Sequence, residues 1–255
     1  MSAGSHWTTE YGERWAHLYD EIFPSFPDQQ DCIDALAELA GGDSTGAAGA
    51  RVLELAIGTG RIALPLIEKG VNVEGVDVSE PMVARLRAKP GGDRVKVTMG
   101  DFADVPAEGR FRLVYIVFNT LFALLTQEDQ LRCFENVAAH LEPDAAFVLE
   151  CFHPDLSLFD RGQHIRTEES RTDRLRLTAS RLDLAAQRID SNHLILDEGS
   201  YEMLPIHIRF SWPAELDLMA RLAGLRLRHR WGGWKGQPFT SESRKHVSIY
   251  EPATT

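Results

Sequence analysis

The sequence predicts an α/β fold in which a doubly wound, mostly parallel seven-stranded sheet has helices on both faces, with an antiparallel cap inserted after the fifth strand. Three patterns predict it. From residue 51 to residue 152, apolar runs of strand length alternate with segments of helical periodicity, as in a parallel sheet built from βαβ units. Residues 153–212 then show every-second-residue alternation, typical of antiparallel strands with one buried face. A helix and two further strands within residues 213–255 would close the main sheet.

Size and composition indicate a single globular domain. The 255 residues are 44% hydrophobic and 25% charged, which is an ordinary globular composition, and α/β sheets of this length are commonly one domain. We therefore treat residues 1–255 as one domain with four parts. These are N-terminal helices with a connector (1–49), a ligand-binding half (50–152), the antiparallel cap (153–212) and the closing helix and hairpin (213–255).

Charge and apolar runs argue against several classes of partner. The net charge of −11 would repel a phosphate backbone, and no block of Lys and Arg offsets it, so nucleic acid is not expected. No apolar run approaches the roughly 20 residues that a membrane span needs, and residues 1–21 hold no apolar leader, so we expect a cytoplasmic protein without a membrane partner. Cys32, Cys133 and Cys151 lack CxxC spacing, which argues against a zinc site or a disulfide framework, and no metal is expected.

Two amphipathic helices are predicted before the sheet, at residues 10–23 and 28–40, because their apolar side chains recur at helical spacing. Residues 41–49 are rich in Gly, Ala and Ser and would form a flexible connector. In the parallel half, the predicted strands are residues 52–56, 72–77, 95–99, 111–118 and 146–152. Three helices are predicted between them, one that ends at residue 69, one at 81–89 and one at 127–141.

The cap is predicted to contain three strands. An arginine-rich run at 161–176 precedes them, and because Glu168 and Glu169 lie among its arginines, we interpret it as a solvated face. The predicted strands of the cap are residues 175–184, 189–196 and 203–212, and the closing elements are a helix at 213–223 and strands at 225–230 and 246–250.

A strand that runs into glycines forms the first candidate site. Gly58 and Gly60 would let backbone N–H groups and a helix N-terminus approach a nucleotide-bearing ligand, since a Cβ would block that approach. Asp77 lies 19 residues after Gly58, at the end of the next strand, where a ribose-binding acid is expected. The same residues satisfy the dinucleotide fingerprint, so a nicotinamide enzyme is an alternative at this point.

Two further features favour adenosine joined to an amino-acid tail. Glu54 lies inside the first strand, where a carboxylate is costly to bury unless it faces a partner such as an ammonium group. Asp101 and Phe102, after the third strand, combine a carboxylate that can accept from the adenine amine with a ring that can cover the base.

With these residues, the chain resembles the class I S-adenosylmethionine-dependent methyltransferases. The family motif, acid-x-Gly/Ala-x-Gly-x-Gly, has Glu54 in the acid position and Ala56 where many members have glycine. The order of the acid, the glycine loop, Asp77 and a Gly-Asp pair after the third strand matches the family over residues 51–152. Residues 212–240 are similar to small actinobacterial methyltransferases of natural-product pathways.

The resemblance implies S-adenosylmethionine as the cofactor and a role for each matching residue. Asp77 would bind the ribose hydroxyls, and Asp101 with Phe102 would bind adenine. Glu54 would lie near the amino-acid end, whose carboxylate Arg61 would meet. The implied cofactor-binding set is Tyr19, Glu54, Ala56, Gly58, Gly60, Arg61, Asp77, Val78, Gly100, Asp101, Phe102 and Phe118.

The acceptor side is predicted from residues beyond the carboxyl ends of the strands and on the first helix. His153, directly after the fifth strand, and Asn119, after the fourth, are the candidate catalytic residues, although in-line transfer from a sulfonium implies no obligatory base. The candidate acceptor-binding residues are Tyr11 and Trp15 as an aromatic lid, His164, and Arg209 as a clamp for a carboxylate.

The expected reaction is methyl transfer to a small-molecule or peptide natural-product acceptor. Nitrogen is favoured over oxygen, because an acidic protein suits a cationic or neutral acceptor. Two alternatives stay open from the residues alone: a protein of this fold that binds the cofactor but catalyses a non-methylating step, and an NAD-dependent oxidoreductase. The oligomeric state also stays open, with a homodimer among the options.

Overall fold

Eleven strands and seven helices organise the residues that the computed structural model describes, which are 3–41 and 50–253. The helices are α1 (Ala3–Trp15), α2 (Tyr19–Ile22), α3 (Gln29–Leu39), α4 (Ala63–Glu68), α5 (Glu80–Ala88), α6 (Gln127–Ala139) and α7 (Pro213–Leu222). The strands are β1 (Arg51–Leu55), β2 (Asn72–Asp77), β3 (Val97–Met99), β4 (Phe111–Ile116), β5 (Leu141–Phe152), β6 (Gln163–Ser170), β7 (Arg174–Asp183), β8 (Arg188–Asp197), β9 (Ser200–Arg209), β10 (Leu225–Trp231) and β11 (Lys245–Pro252).

The main sheet confirms the predicted seven-stranded, doubly wound arrangement. Its strand order is β10-β11-β5-β4-β1-β2-β3. The central strand β1 pairs in parallel with β2 and β4, whereas β11 is antiparallel to both β5 and β10. The chain order reverses between β1 and β4, and the crevice outside the carboxyl ends of these strands is where open α/β sheets bind their ligands.

Helices cover the main sheet on both faces. Phe134 of α6 and Leu216 of α7 pack on one face, and Leu36 of α3 and Leu66 of α4 pack on the other. Because the central strands are buried on both sides, their sequences are nearly continuous apolar runs, and this is the pattern that predicted them. None of the described helices combines the length and the apolar character that a membrane crossing needs.

The N-terminal region differs in part from the prediction. The helix predicted at 10–23 is two helices, α1 and α2, separated by a turn after Trp15, which is fully buried. The helix α3 agrees with the predicted 28–40 to within one residue at each end. Residues 42–49, which make up nearly all of the predicted connector, lie outside the described residues.

The cap is an antiparallel sheet of four strands in the order β6-β7-β8-β9, one more than predicted. The additional strand, β6, comes from the arginine-rich run at 161–176. Its charges are paired: Arg176 Nη2 lies 3.2 Å from Glu168 Oε2, and Arg174 Nε lies 3.9 Å from Glu169 Oε2. A strand with charges on its inner face lacks apolar alternation, which is why the sequence pattern did not reveal it. The solvated-face interpretation is therefore wrong for Glu168, whose side chain is only 16% exposed.

Arg209 joins the cap to the main body. Its buried guanidinium donates to Glu215 Oε1 at 2.7 Å, to Ser211 Oγ at 2.7 Å and to Gln130 Oε1 at 3.0 Å. Burial acts to raise the pKa of Glu215, but hydrogen bonds from Gln187 and Arg209 outweigh it and lower that pKa. Arg209 was predicted to clamp an acceptor. The structure places it in this internal network instead, because β9 ends here and the chain turns inward toward α7.

We expect Arg209→Met to lower the free energy of unfolding by about 3 kcal/mol, because removing one member of a buried ion pair leaves the carboxylate of Glu215 without its cation. Chemical denaturation of the variant and the wild type measures the difference. Arg228→Met is the matched control, since Arg228 is 46% exposed on β10 and its loss should change stability by less than about 0.5 kcal/mol. Wild-type stability of Arg209→Met would contradict the anchoring role.

Candidate active site

The loop after β1 passes through left-handed backbone. Ala56, Gly58 and Gly60 have φ angles of 56°, 56° and 78°. Glycine adopts such angles freely, whereas they strain a residue with a side chain by about 1 kcal/mol or more. A Cβ on Gly60 would also come within 2.3 Å of Leu86 in α5. Gly60 therefore allows the loop to pack closely on α5, and Ala56 is strained at a position where the family often has glycine.

Asp77 binds this loop through its carboxylate. Its Oδ2 accepts from the Gly58 N–H at 2.7 Å, and its Oδ1 accepts from the Ser79 N–H at 2.8 Å. Burial raises the pKa of Asp77, and the backbone hydrogen bonds act in the opposite direction. Because a carboxylate has about four lone-pair sites, the group keeps capacity for a ligand hydroxyl. Val78 lies beside Asp77, and both residues line a cavity that extends toward the cap.

The segment after β3 lies next to Asp77. The Gly100 N–H donates to the Asp77 carbonyl oxygen at 2.8 Å, and Asp101 Oδ1 accepts from the Ala103 N–H at 2.9 Å. Phe102 is buried and lines the cavity, whereas Asp101 is set back from the lining, and burial raises its pKa. The sequence-predicted adenine residues are thus adjacent to the predicted ribose acid.

A small pocket of about 40 Å³ beside the loop contains both Glu54 and Arg61. Burial raises the pKa of Glu54 to about 8, although Tyr115 OH donates to its Oε2 at 2.8 Å. The guanidinium carbon of Arg61 lies 4.2 Å from the centre of the Phe118 ring and 5.5 Å from that of Tyr19. In the described part of the chain, the buried Nε of Arg61 has no hydrogen-bond partner. A buried acid and an unpaired N–H are complementary to the ammonium and the carboxylate of an amino acid.

Glu150 of β5 fixes the turn after β4. Phe118 and Asn119 both have left-handed backbone, with φ angles of 59° and 64°. Glu150 Oε2 accepts from the Phe118 N–H at 2.9 Å, and its Oε1 accepts from Lys245 Nζ at 2.8 Å. Asn119 Oδ1 in turn accepts from the Phe152 N–H at 2.6 Å. Asn119, which was predicted to be catalytic, lines the cavity, but its side-chain oxygen is already bound to the backbone at the end of β5.

A cavity of about 380 Å³ connects the glycine loop to the inner face of the cap. Gly58, Asp77 and Phe102 line the end at the main sheet. The lining also includes the aromatic side chains of Tyr11, Tyr19, Phe23 and Phe118. The cap contributes Arg166, Glu168, His193, Ile206, His207 and Ile208. One continuous space is therefore shared by the predicted cofactor residues and the cap.

Of the two predicted lid residues, Tyr11 lines this cavity and Trp15 does not. Trp15 is fully buried, its indole N–H donates to the Pro205 carbonyl oxygen at 3.0 Å, and its ring stacks with Tyr11 at 5.7 Å. Trp15 thus connects the first helix to β9 and supports the lining without belonging to it.

The predicted His153 and His164 also lie outside the cavity lining. The ring of His153 contacts Trp212 and Phe239, each at 5.6 Å between ring centres. The ring of His164 contacts Phe159 at 5.7 Å. His153 follows the fifth strand as predicted, but its side chain packs among these aromatic rings rather than facing the loop after β1.

Sequence reasoning missed the polar residues of the cap wall. Arg166 and Glu168 lie on the unpredicted β6, and Thr178 and His193 lie on strands that the sequence did predict. The alternation along the strand was a usable signal. His193 is two residues before Ile195, which is buried, and side chains two apart on a strand share a face, so His193 is expected on the inner face of the cap.

Comparisons with known proteins give the family. A model described as a methyltransferase domain matches residues 52–144. The cypemycin N-terminal methyltransferase from a Streptomyces species is 33% identical over 208 residues, which cover 80% of this chain and 83% of that protein. The CcbJ methyltransferase from Streptomyces caelestis has a structure that is 38% identical, with a TM-score of 0.88 and coverage of 97% and 99% of the two chains. The amino pentose methyltransferase CalS10 from Micromonospora echinaspora, solved with S-adenosylmethionine, shares the fold at 20% identity, a TM-score of 0.67 and coverage of 92% and 95%.

These matches decide between the ligands that the glycine loop left open. The relatives that match 80% and 97% of the chain are methyltransferases, so the nicotinamide alternative drops out. The geometry is compatible with this, since the carboxylate of Asp77, the ring of Phe102 and the small pocket with Glu54 and Arg61 adjoin one loop. The chain therefore belongs to the S-adenosylmethionine-dependent methyltransferases of the natural-product type.

Proposed function

We propose that this methyltransferase methylates an amine nitrogen of a small-molecule or peptide natural product. The observation that carries the proposal is the continuous cavity, in which aromatic faces and the carboxylate of Glu168 surround the space next to the cofactor loop. Aromatic faces and carboxylates attract ammonium groups and the cationic transition state of their methylation. The 33% identical relative is named an N-terminal methyltransferase, which supports nitrogen as the acceptor atom.

The residues of the loop fit the cofactor. Asp77 would accept from the ribose hydroxyls with its remaining lone pairs, and Phe102 would cover the adenine, whose amine Asp101 would bind. The small pocket would take the methionine tail, with its ammonium toward Glu54 and its carboxylate toward the unpaired Nε of Arg61. When bound, S-adenosylmethionine supplies a methyl group that its positively charged sulfur makes electrophilic.

The protein contributes alignment and the exclusion of water. Tyr19 and Phe118 line both the small pocket and the larger cavity, so the reacting centre should lie where the two meet. Their rings leave little space for water and stabilise positive charge. An amine held in the cap half of the cavity would then face the methyl group in line with the bond to sulfur, and such positioning accounts for a large part of the rate.

A panel of acceptors tests nitrogen against oxygen. The panel pairs a peptide with a free amino terminus with its N-acetyl form, and an amino sugar with the corresponding hydroxyl sugar. We expect a mass gain of one or more methyl groups on a free amine and none on its matched partner, because the cavity binds a protonatable nitrogen. Mass spectrometry with isotope-labelled cofactor measures the transfer. Methyl groups found on oxygen in a hydroxyl member, with the amines untouched, would refute the proposal.

Asp77→Asn should weaken the binding of S-adenosylhomocysteine roughly 10- to 100-fold, because hydrogen bonds to a charged acceptor contribute about 1.5–3 kcal/mol. The amide also loses one of the two acceptors that bind the Gly58 and Ser79 N–H groups. Isothermal titration calorimetry measures the affinity. Asp34→Asn is the matched control, since Asp34 is 53% exposed on α3 and its partners are Lys69 and Gln30 on the surface. Equal affinity in Asp77→Asn and the wild type would remove Asp77 from the site.

The binding of S-adenosylhomocysteine should strengthen as the pH rises from 6 toward 8. Burial raises the pKa of Glu54 to about 8, so the acid is mostly protonated at pH 7 and must lose its proton to face the ammonium group of the ligand. Titrations in two buffers with different heats of ionisation measure the proton released on binding.

Glu54→Gln is the isosteric control for this pH dependence. The amide cannot ionise, so its binding should be weaker at pH 8 and should release no proton from this position. The same acid also affects stability: its pKa is higher in the folded state than in the unfolded chain, so its contribution is lost as the pH rises from about 4.5 to about 8. Proton release that is unchanged in Glu54→Gln would show that another group titrates.

A further inference from the structure

Three polar side chains meet on the inner face of the cap, one from each of β6, β7 and β8. Thr178 lies directly opposite His193 in the pairing of β7 with β8. An irregularity in the β6–β7 pairing, between Thr167 and Glu169, brings Glu168 toward them. Glu168 and His193 both line the cavity, and their side chains are only 16% and 15% exposed. A carboxylate, a hydroxyl and an imidazole thus form one group on the acceptor side.

The hydrogen bonds determine which nitrogen of His193 carries the proton. Thr178 Oγ1 lies 2.8 Å from Glu168 Oε1 and 3.0 Å from His193 Nδ1. An ionised carboxylate only accepts and a hydroxyl has a single proton, so Thr178 donates to Glu168 and accepts from the Nδ1–H of His193. The Nε2 atom then keeps its lone pair. Across residues 3–41 and 50–253, the ring has no second hydrogen-bond partner.

The surroundings keep this group in the required charge state. Burial acts to raise the pKa of Glu168, but the hydrogen bonds from Thr178 and Arg176 and the charge of Arg166 lower it, so it stays ionised. Burial, followed by the positive charges of Arg176 and Arg166, lowers the pKa of His193, and Glu168 alone raises it. From α1, the group packed on His193 is the uncharged ring of Trp15, edge-on at 5.1 Å. His193 is therefore a neutral imidazole at pH 7.

We propose that His193 is the residue that accepts the proton of the acceptor ammonium through Nε2, with Thr178 and Glu168 as positioning residues. This rests on the proposed methylation of nitrogen. Thr178 fixes the tautomer and the orientation of the ring, and Glu168, 3.9 Å from Nδ1, stabilises the imidazolium once it forms. With this chain of a carboxylate, a hydroxyl and an imidazole, the inner face of the cap would take part in proton transfer as well as shape the cavity.

The proton and the electrons balance without another reactant. An ammonium R–NH₃⁺ transfers one proton to Nε2 of His193, which leaves R–NH₂ with a free lone pair and His193 as a cation. The lone pair forms the new N–C bond as the C–S bond breaks and its electron pair returns to sulfur, so the product is R–NH₂–CH₃⁺. His193 then releases its proton to solvent, and one proton leaves per methyl group transferred.

The tautomer is measurable without any acceptor. We would record long-range ¹H–¹⁵N spectra of protein labelled at histidine, with S-adenosylhomocysteine bound at pH 7, and assign His193 from His193→Gln. The expected result is a neutral ring protonated on Nδ1. Thr178→Ser should keep this tautomer and Thr178→Val should lose it, because only the hydroxyl accepts from Nδ1–H. A ring protonated on Nε2, or an imidazolium, in the wild type would overturn the proposal.

The kinetic test uses an amine of the acceptor panel that is methylated. His193→Gln should lower kcat/KM at least about 100-fold at pH 7, while S-adenosylhomocysteine binds with wild-type affinity. The deficit should shrink as the pH approaches the pKa of the free amine, because the acceptor then arrives deprotonated. His229→Gln, on an exposed position of β10, should keep the wild-type rate. A deficit that is constant with pH would indicate a packing role and would overturn the proposal.

The outcomes separate this inference from the proposed function. Methylation of oxygen alone would refute the nitrogen acceptor whatever the state of His193. Methylation of nitrogen by His193→Gln at the wild-type rate would refute the role of His193 and leave the proposed function standing. If His193 has changed tautomer in Thr178→Val and the variant still reacts at the wild-type rate, the positioning role of Thr178 is refuted.

Discussion

The carboxylate of Asp77 links the register of the sheet to the position of the cofactor loop. In the parallel pairing of β1 with β2, Leu55 lies opposite Val76, so the next residue of β2 lies beside the turn that leaves β1. That residue is Asp77, and its two carboxylate oxygens accept from the N–H groups of Gly58 and Ser79. Without this acceptor, two backbone donors at a buried edge would lose their partner, which costs about 1–3 kcal/mol each. The atoms that stabilise the loop are thus the same atoms that we propose bind the ribose.

Two more buried acids lie at this end of the sheet, and they differ in how far the protein satisfies them. Glu150 accepts from a lysine ammonium and from a backbone N–H, so the turn after β4 is complete without a ligand. Glu54 receives a hydrogen bond from Tyr115, and burial still raises its pKa to about 8. The group that is least well satisfied, together with the unpaired Nε of Arg61, marks where a charged ligand contributes most. Incomplete partnering of buried charges thus distinguishes the pocket that we propose holds the methionine tail from the structural network around Glu150.

Much of the fold could be predicted from the sequence, because the parallel half follows from local patterns. β4 is mostly apolar, β2 ends at the acid Asp77, and left-handed backbone favours the glycines at 58 and 60. The cap was harder to predict. β6 carries Glu168 and Arg166 on its inner face, so it shows no apolar period, and Arg209 was predicted to clamp an acceptor although it is buried in the junction. The burial of Arg209 depends on contacts between distant segments, such as its hydrogen bond to Gln130 of α6, which a local pattern does not show.

The polar residues on the inner face of the cap were not predicted, for a physical reason that also bears on their proposed role. Backbone ladders hold β6 to β9 together, so the identity of the inner side chains matters little to the cap as a sheet. Those side chains must only avoid unpaired buried charge, and they do so in local sets, as Glu168 does with Arg176 and Thr178. The parallel half has no such freedom, because every member of the family must bind the same cofactor there. A sheet of this kind can exchange one set of mutually paired side chains for another without disturbing the loop after β1, and this freedom supports our proposal that the cap recognises the acceptor.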